Sequence, residues 1–258
     1  MTFSDFQELV NLSRQEIYQE TYAENRETIR IKKEKTIVKN LAHILDAALR
    51  ISNLKGFQAM SMRDLSRETG MSTGSLYAYF SSKEELAEIL QSTGRAITLR
   101  LLRELSEEES TPRAKLRAAI RTHVYLSEVM RPWFYFSYME ARNLSKEERK
   151  KAISSELDTE KVFSDIISLG QEEGVFVRRD SRLAAGMIKA MVQDWYLKRW
   201  KYARRDVSVD RFADFVIDAV EAICLKRDQV DPNMEEEQEH ELHRHSDTHE
   251  NGRRTGCL

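Results

Sequence analysis

Between Ser61 and Leu86 the sequence reads SMRDLSRETGMSTGSLYAYFSSKEEL. Its chemistry is that of hydrogen bonding to an external polymer rather than of bond-making. Ser72, Thr73, Gly74, Ser75, Tyr77 and Tyr79 follow one another as small or hydroxyl-bearing residues. Small side chains allow close approach, and hydroxyls reach phosphates and base edges. Lys83 opens the next segment, where free helix amides and the positive end of the helix dipole also favour a phosphate. Ser61 and Arg63, at the start of the preceding segment, complete the candidate contact set.

The elements that would hold these residues are short helices with defined ends. Ile37, Leu41, Ile44, Leu45, Ala48 and Ile51 step by three or four along one helix face, and Gly56 stops it. Ser61 is an N-cap for a helix running from Met62 to Arg67, which Gly70 breaks. Ser72 or Thr73 starts another short helix, through Ala78. Leu65, Met71 and Leu76 are apolar spacers that would lock the pair at the steep angle of a helix-turn-helix. Ser82 with Glu85 three residues on predicts a capping box opening a long helix, with Leu86, Ile89, Leu90, Ile97, Leu101 and Leu105 along its stripe.

The same stretch resembles the tetracycline-repressor family of bacterial regulators. The resemblance rests on Glu68, Gly70, Met71, Ser72, Gly74, Ser75, Leu76, Tyr77, Tyr79 and Phe80, followed by Ser82-Lys83-Glu84-Glu85-Leu86. Ala47, Gly56 and Phe57 match the family's opening helix, although Ile51 stands where Phe is common. Motif-level likeness spans about residues 37–90. It implies a homodimer on a two-fold-symmetric operator, with DNA affinity altered by a ligand. It places Thr73, Gly74, Ser75 and Tyr77 at the major groove or its phosphates, and Tyr79 and Lys83 at the backbone. A helical protein-interaction module without operator specificity is the alternative, and only DNA-binding measurements separate the two.

Beyond Ser110–Pro112 helical periodicity continues, predicting helices near 112–130, 132–144, 146–173, 180–203 and 208–225. The last two are expected to pair with their twins in a dimer, as in the family. Trp133, Phe134, Tyr135 and Tyr138, with Met187, Met191 and Trp195, offer the broad faces and adaptable side chains that suit a small apolar ligand. Plain bundle core accounts for the same residues. The run Tyr138–Arg149, Gly170 to Phe176, and Trp195 with Arg199-Trp200 resembles the branch of the family that responds to fatty acyl-CoA or related lipids.

Composition agrees with an all-α chain: nine glycines and three prolines in 258 residues are too few for a sheet's many turns. The expected organisation is an N-terminal helical extension (1–29), a three-helix DNA-binding head (30–90), a helical effector-binding and dimerisation domain (91–227) and a disordered acidic tail (228–258). Net charge is −2, yet residues 30–83 hold ten Lys/Arg against four Asp/Glu, as a nucleic-acid contact surface would. Lys32, Lys33 and Lys35 lie in that basic block and are expected to reach the DNA backbone or minor groove. The first 29 residues are acidic and carry Phe3, Phe6, Val10, Ile17 and Tyr18, predicting a helix packed on protein rather than on DNA. Cys224 and Cys257 make no metal spacing, and the tail histidines His240, His243, His245 and His249 lack a packed shell. His43 and His123 are isolated in helical patterns and are expected to be satisfied within their helices. No catalytic grouping, cofactor motif, signal peptide or membrane span is apparent, so the expectation is a cytoplasmic, non-enzymatic protein without cofactor.

Overall fold

The computed structural model describes residues 3–24, 34–140 and 146–226. The described residues form eleven helices, with no strand beyond a single bridge between Phe176 and Leu225. They are α1 (Phe3–Glu24), α2 (Glu34–Lys55), α3 (Met62–Thr69), α4 (Thr73–Leu76), α5 (Lys83–Glu107), α6 (Pro112–Val129), α7 (Arg131–Glu140), α8 (Lys146–Glu172), α9 (Ser181–Leu197), α10 (Arg199–Arg204) and α11 (Val209–Cys224). None is long and apolar enough to cross a membrane. The histidine tail, Cys257 and the lysines Lys32 and Lys33 lie outside the described residues.

The head is α2, α3 and α4, and its ends are set by local chemistry. Gly70 closes α3 at φ 69°, a left-handed conformation in which a Cβ would be strained. At the other end Ser61 and Asp64 form a complete capping box. Ser72 caps α4 by accepting from Ser75 N. Leu65 and Leu76 are fully buried between the two helices, while Met71 is half-buried in the turn. The expected box at Ser82 is only half present. Ser82 Oγ accepts from Glu85 N at 3.1 Å, but the Glu85 carboxylate turns back to Ser81 N at 2.6 Å.

α5 runs from the head into a body centred on α6, which packs against α5, α8, α9 and α11. Two arginines of α6, Arg113 and Arg117, meet the buried carboxylate of Glu221 on α11 at 2.8 and 2.9 Å. Burial raises the Glu221 pKa, but its hydrogen bonds to the two guanidiniums outweigh this and hold it below the usual carboxylate range.

α1 packs as the composition of residues 1–29 predicts. It lies across both units, touching α2 in the head and α5 and α6 in the body. Phe6, Val10, Ile17, Tyr18 and Tyr22 are buried, and Phe3 and Phe6 meet Tyr125 edge-on. Arg14 donates to Asp46 on α2 at 2.6 Å, and Arg100 on α5 reaches Glu20 at 2.5 Å.

One helix differs from expectation. The helix expected at 132–144 is α7, described from Arg131 to Glu140, with 141–145 outside the described residues; Met130 makes the break before it, and Pro132 sits in the first turn of α7, where its missing N–H costs nothing. The single helix expected at 180–203 is interrupted at Lys198, whose φ of −122° and ψ of 35° are not helical. No glycine or proline marks this break. Asp194 gathers Lys198, Lys201 and Tyr202 onto one carboxylate, and the Tyr202 ring forms a three-ring cluster with Trp195 and Phe212. The turn is made by side-chain contacts remote from the backbone pattern.

Candidate nucleic-acid interface and effector cavity

The presented face of the head is small and polar. Ser72, Gly74 and Ser75 are exposed, Thr73 is half-buried, and Tyr77 is 48% exposed. Ser72 and Ser75 share a hydroxyl contact of 2.8 Å, which leaves each hydroxyl capacity for an outside partner. A Cβ at Gly74 would meet nothing closer than Ser72 Oγ at 3.9 Å, so packing within the chain does not require glycine here. Arg63 is exposed, whereas Ser61 has its hydroxyl committed to Asp64. The helices are tied together beneath this face: Arg50 meets Glu68 at 3.0 Å, Lys55 meets Asp64 at 2.6 Å, and His43 Nε2 contacts Thr69 O at 3.2 Å.

Tyr79 corrects the expectation of a backbone contact. It is buried to 1% exposure, and its hydroxyl accepts from Asn40 Nδ2 at 2.8 Å. Its ring is a strut between the recognition segment and α2, because two residues after Tyr77 the chain has turned inward. Lys83 is partly available. Its ammonium donates to Gln58 O at 2.9 Å and lies 4.9 Å from the centre of the Phe57 ring. Partial burial lowers its pKa, against the nearby charges of Glu84 and Glu140. Lys35 lies in the first turn of α2.

The body holds a half-open cavity of about 710 Å³ between α5, α6, α7, α8 and α9. Trp133, Phe134 and Tyr138, of the expected effector residues, line it. Tyr135, Met187, Met191 and Trp195 do not. Tyr135 faces a surface groove with Leu54 and Trp200. Met187 is 60% exposed on α9, and Met191 packs against the core. Trp195 is fully buried elsewhere, with its Nε1 donating to Glu128 at 2.9 Å and Arg199 over its ring. Helical periodicity places Tyr135 on α7 and the other three on α9 but does not tell which side of either helix faces the cavity.

The sequence reading missed the polar side of this cavity. His123, expected to be satisfied, is fully buried; its Nε2 lies 3.1 Å from Lys189 Nζ, and its Nδ1 has no protein partner. Burial, then the charge of Lys189, hold His123 neutral, its pKa well below the ordinary histidine value. Lys189 also reaches Thr159 Oγ1 at 3.3 Å and Glu156 at 3.4 Å. A signal was available: Lys189 interrupts the apolar row Ala185, Ile188, Val192, and His123 interrupts Leu116, Ala119, Ile120.

α7 joins the cavity to the head. Its Trp133 and Phe134 line the cavity. From its other side Pro132 O accepts from Asn53 Nδ2 at 2.8 Å, Phe136 meets Phe57 edge-on, and Glu140 accepts from Phe57 N at 3.2 Å.

Comparison with known proteins places this geometry. Residues 44–90 match the model of bacterial regulatory proteins of the tetR family, and residues 109–220 match the tetracyclin repressor-like C-terminal domain. α1 lies outside both matches. The uncharacterized HTH-type transcriptional regulator YfiR of Bacillus subtilis is 40% identical over 72 residues, which is 28% of this chain but only 35% of that protein. The fatty acid metabolism regulator protein of Bacillus subtilis is 23% identical over 164 residues, 62% of this chain and 84% of that one. The solved structure of the ketosteroid transcriptional regulator KstR2 of Mycobacterium tuberculosis superposes with a TM-score of 0.65, covering 78% of this chain and 99% of that chain. At 19% identity that superposition speaks for the fold alone.

Proposed function

The chain belongs to the tetR family of bacterial regulatory proteins, and from that premise we propose that it is a ligand-responsive transcriptional repressor acting as a homodimer on a palindromic operator. The observation that carries the reading is the path through α7. One short helix forms a wall of the cavity and holds the head by a side-chain amide, a ring contact and a carboxylate. A ligand that shifts Trp133 and Phe134 shifts the head with them. Coupling of this kind is typically worth about 1–3 kcal/mol between ligand and DNA.

In this reading Ser72, Thr73, Gly74, Ser75 and Tyr77 enter the major groove, with Arg63 and Lys83 on phosphates. The open space over Gly74 supports close approach of a groove wall. The basic segment with Lys32, Lys33 and Lys35 adds backbone contacts ahead of α2. Dimerisation through α9 and α11 is supported by an uncovered apolar face: Leu183, Met187, Phe215 and Ile223 are each at least half exposed. The effector is a small, largely apolar molecule of lipid type, an acyl-CoA among the candidates, and the names of the fatty acid and ketosteroid regulators support that class. Nothing in this function requires a cofactor or a catalytic step.

Selecting the bound sequence from random duplexes, then titrating that complex with salt, tests the reading. The expected result is one preferred near-palindrome and a steep loss of affinity with salt. Binding without sequence preference would favour the helical interaction module instead.

A further inference from the structure

The cavity's inner wall is a wall of donors. Lysine ammonium groups can only donate, so the contact of Lys189 Nζ with His123 Nε2 makes that nitrogen an acceptor. The proton of neutral His123 then resides on Nδ1, a fully buried N–H with no acceptor at good hydrogen-bond geometry among the described residues. Gln91, 1% exposed on α5, repeats the pattern: Ser137 Oγ donates to its Oε1 at 2.7 Å, while its Nε2 finds no partner. The charges lean the same way. Among the described lining residues Arg95, Arg149 and Lys189 are cationic and Glu156, which Lys189 engages, is anionic.

An unmet donor in a buried site is costly, and apolar walls of Trp133, Phe134, Ile153 and Tyr196 strengthen any charge interaction made there. A purely apolar ligand would leave these donors unmet, and a neutral ester would give them only weak acceptors.

We propose that the effector is a free carboxylic acid with an apolar tail, its carboxylate held at the Lys189–His123–Gln91 side of the cavity and its tail against the α7 aromatics. This rests on the effector-cavity reading above and narrows it: the recognised group is the anion itself, not the thioester of a CoA conjugate. Charge-assisted hydrogen bonds from Lys189 and His123 would fix the head group, and an uncharged analogue would lose them.

The test is calorimetric titration of the full-length dimer with dodecanoate, methyl dodecanoate, dodecanol and dodecanoyl-CoA, below their aggregation limits. Dodecanoate should bind roughly tenfold or more tightly than the ester and the alcohol. In Lys189→Met that advantage of the acid over the ester should disappear. Because the ligand series is run on the unaltered protein, poor folding of the variant leaves the comparison intact. Equal binding of acid and ester, or tighter binding of the CoA thioester, would overturn the carboxylate assignment and leave the cavity as an effector site. If none of the four binds while operator binding is intact, both the assignment and the cavity reading fall.

Discussion

The indole of Trp133 occupies the space that any side chain at position 94 would need: a Cβ on Gly94 would come within 1.7 Å of Trp133 Cε2. The ring is held there by its Nε1, which donates to Leu90 O at 2.8 Å on the same helix. A glycine inside α5 costs about 1 kcal/mol relative to alanine, yet it lets α7 seat an aromatic directly on the α5 backbone. Gly94→Ala should therefore push Trp133 out. The expected outcome is a loss of about 1–3 kcal/mol in stability by urea unfolding, together with a changed tryptophan emission spectrum. Unaltered emission and stability would mean that the wall adjusts without moving the indole.

Tyr77 and Tyr79 are two residues apart and should answer mutation in opposite ways. Tyr77→Ala should weaken operator binding strongly and leave melting temperature and dimerisation unchanged, since the ring is half exposed. Tyr79→Phe removes the hydroxyl that accepts from Asn40 and should lower stability by about 1 kcal/mol, with little direct effect on affinity. Gel-shift and thermal-melt measurements on the two variants would show the reversal; matching profiles would contradict the division.

Lys83→Ala should reduce affinity for operator and random duplex alike and reduce the salt slope by about one. Losing its bond to Gln58 O also loosens the joint between the α2–α3 turn and α5. An effect confined to a single operator base pair would place Lys83 at a base edge instead of a phosphate.

Phe215 is 73% exposed on α11, beside the inward-facing Phe212 and Val216. In the proposed dimer Phe215→Glu buries an unpaired charge, at a cost of several kcal/mol. Sedimentation should show monomers, with operator affinity falling in parallel. A dimer of normal strength would move the interface off this face.

Removing residues 1–29 should lower the melting temperature, because Phe6, Val10, Ile17, Tyr18 and Tyr22 are buried by α1. DNA affinity at fixed salt should be spared. Neutralising Lys32, Lys33 and Lys35 should do the reverse, weakening DNA binding by an amount that shrinks as salt rises. Equal low-salt affinity in the neutralised variant would deny that segment a DNA role.

The helical head was legible in the sequence because local chemistry sets its boundaries. Ser61, Gly70, Ser72 and Ser82 each act on backbone groups within a turn of themselves, so residue type and spacing suffice to place helix ends. The burial of Leu65 and Leu76 and the packing of α1 were legible for a related reason, since an apolar stripe at helical period has only one side to hide.

Tertiary structure alone decided which partner each side chain meets. The break at Lys198 follows from contacts of Asp194 with Lys201 and Tyr202, and no local signal precedes it. Trp195 and Trp133 are both buried tryptophans in helical patterns, yet one stacks on Phe212 and the other walls the cavity. Tyr79 lies in the same short motif as Tyr77 but turns inward to Asn40. His123 and Lys189 are 66 residues apart and acquire their chemistry only when α6 and α9 bring them within 3.1 Å. Periodicity is a property of one helix and survives in the sequence; a pocket is a property of several helices at once, and long-range packing alone determines which faces converge.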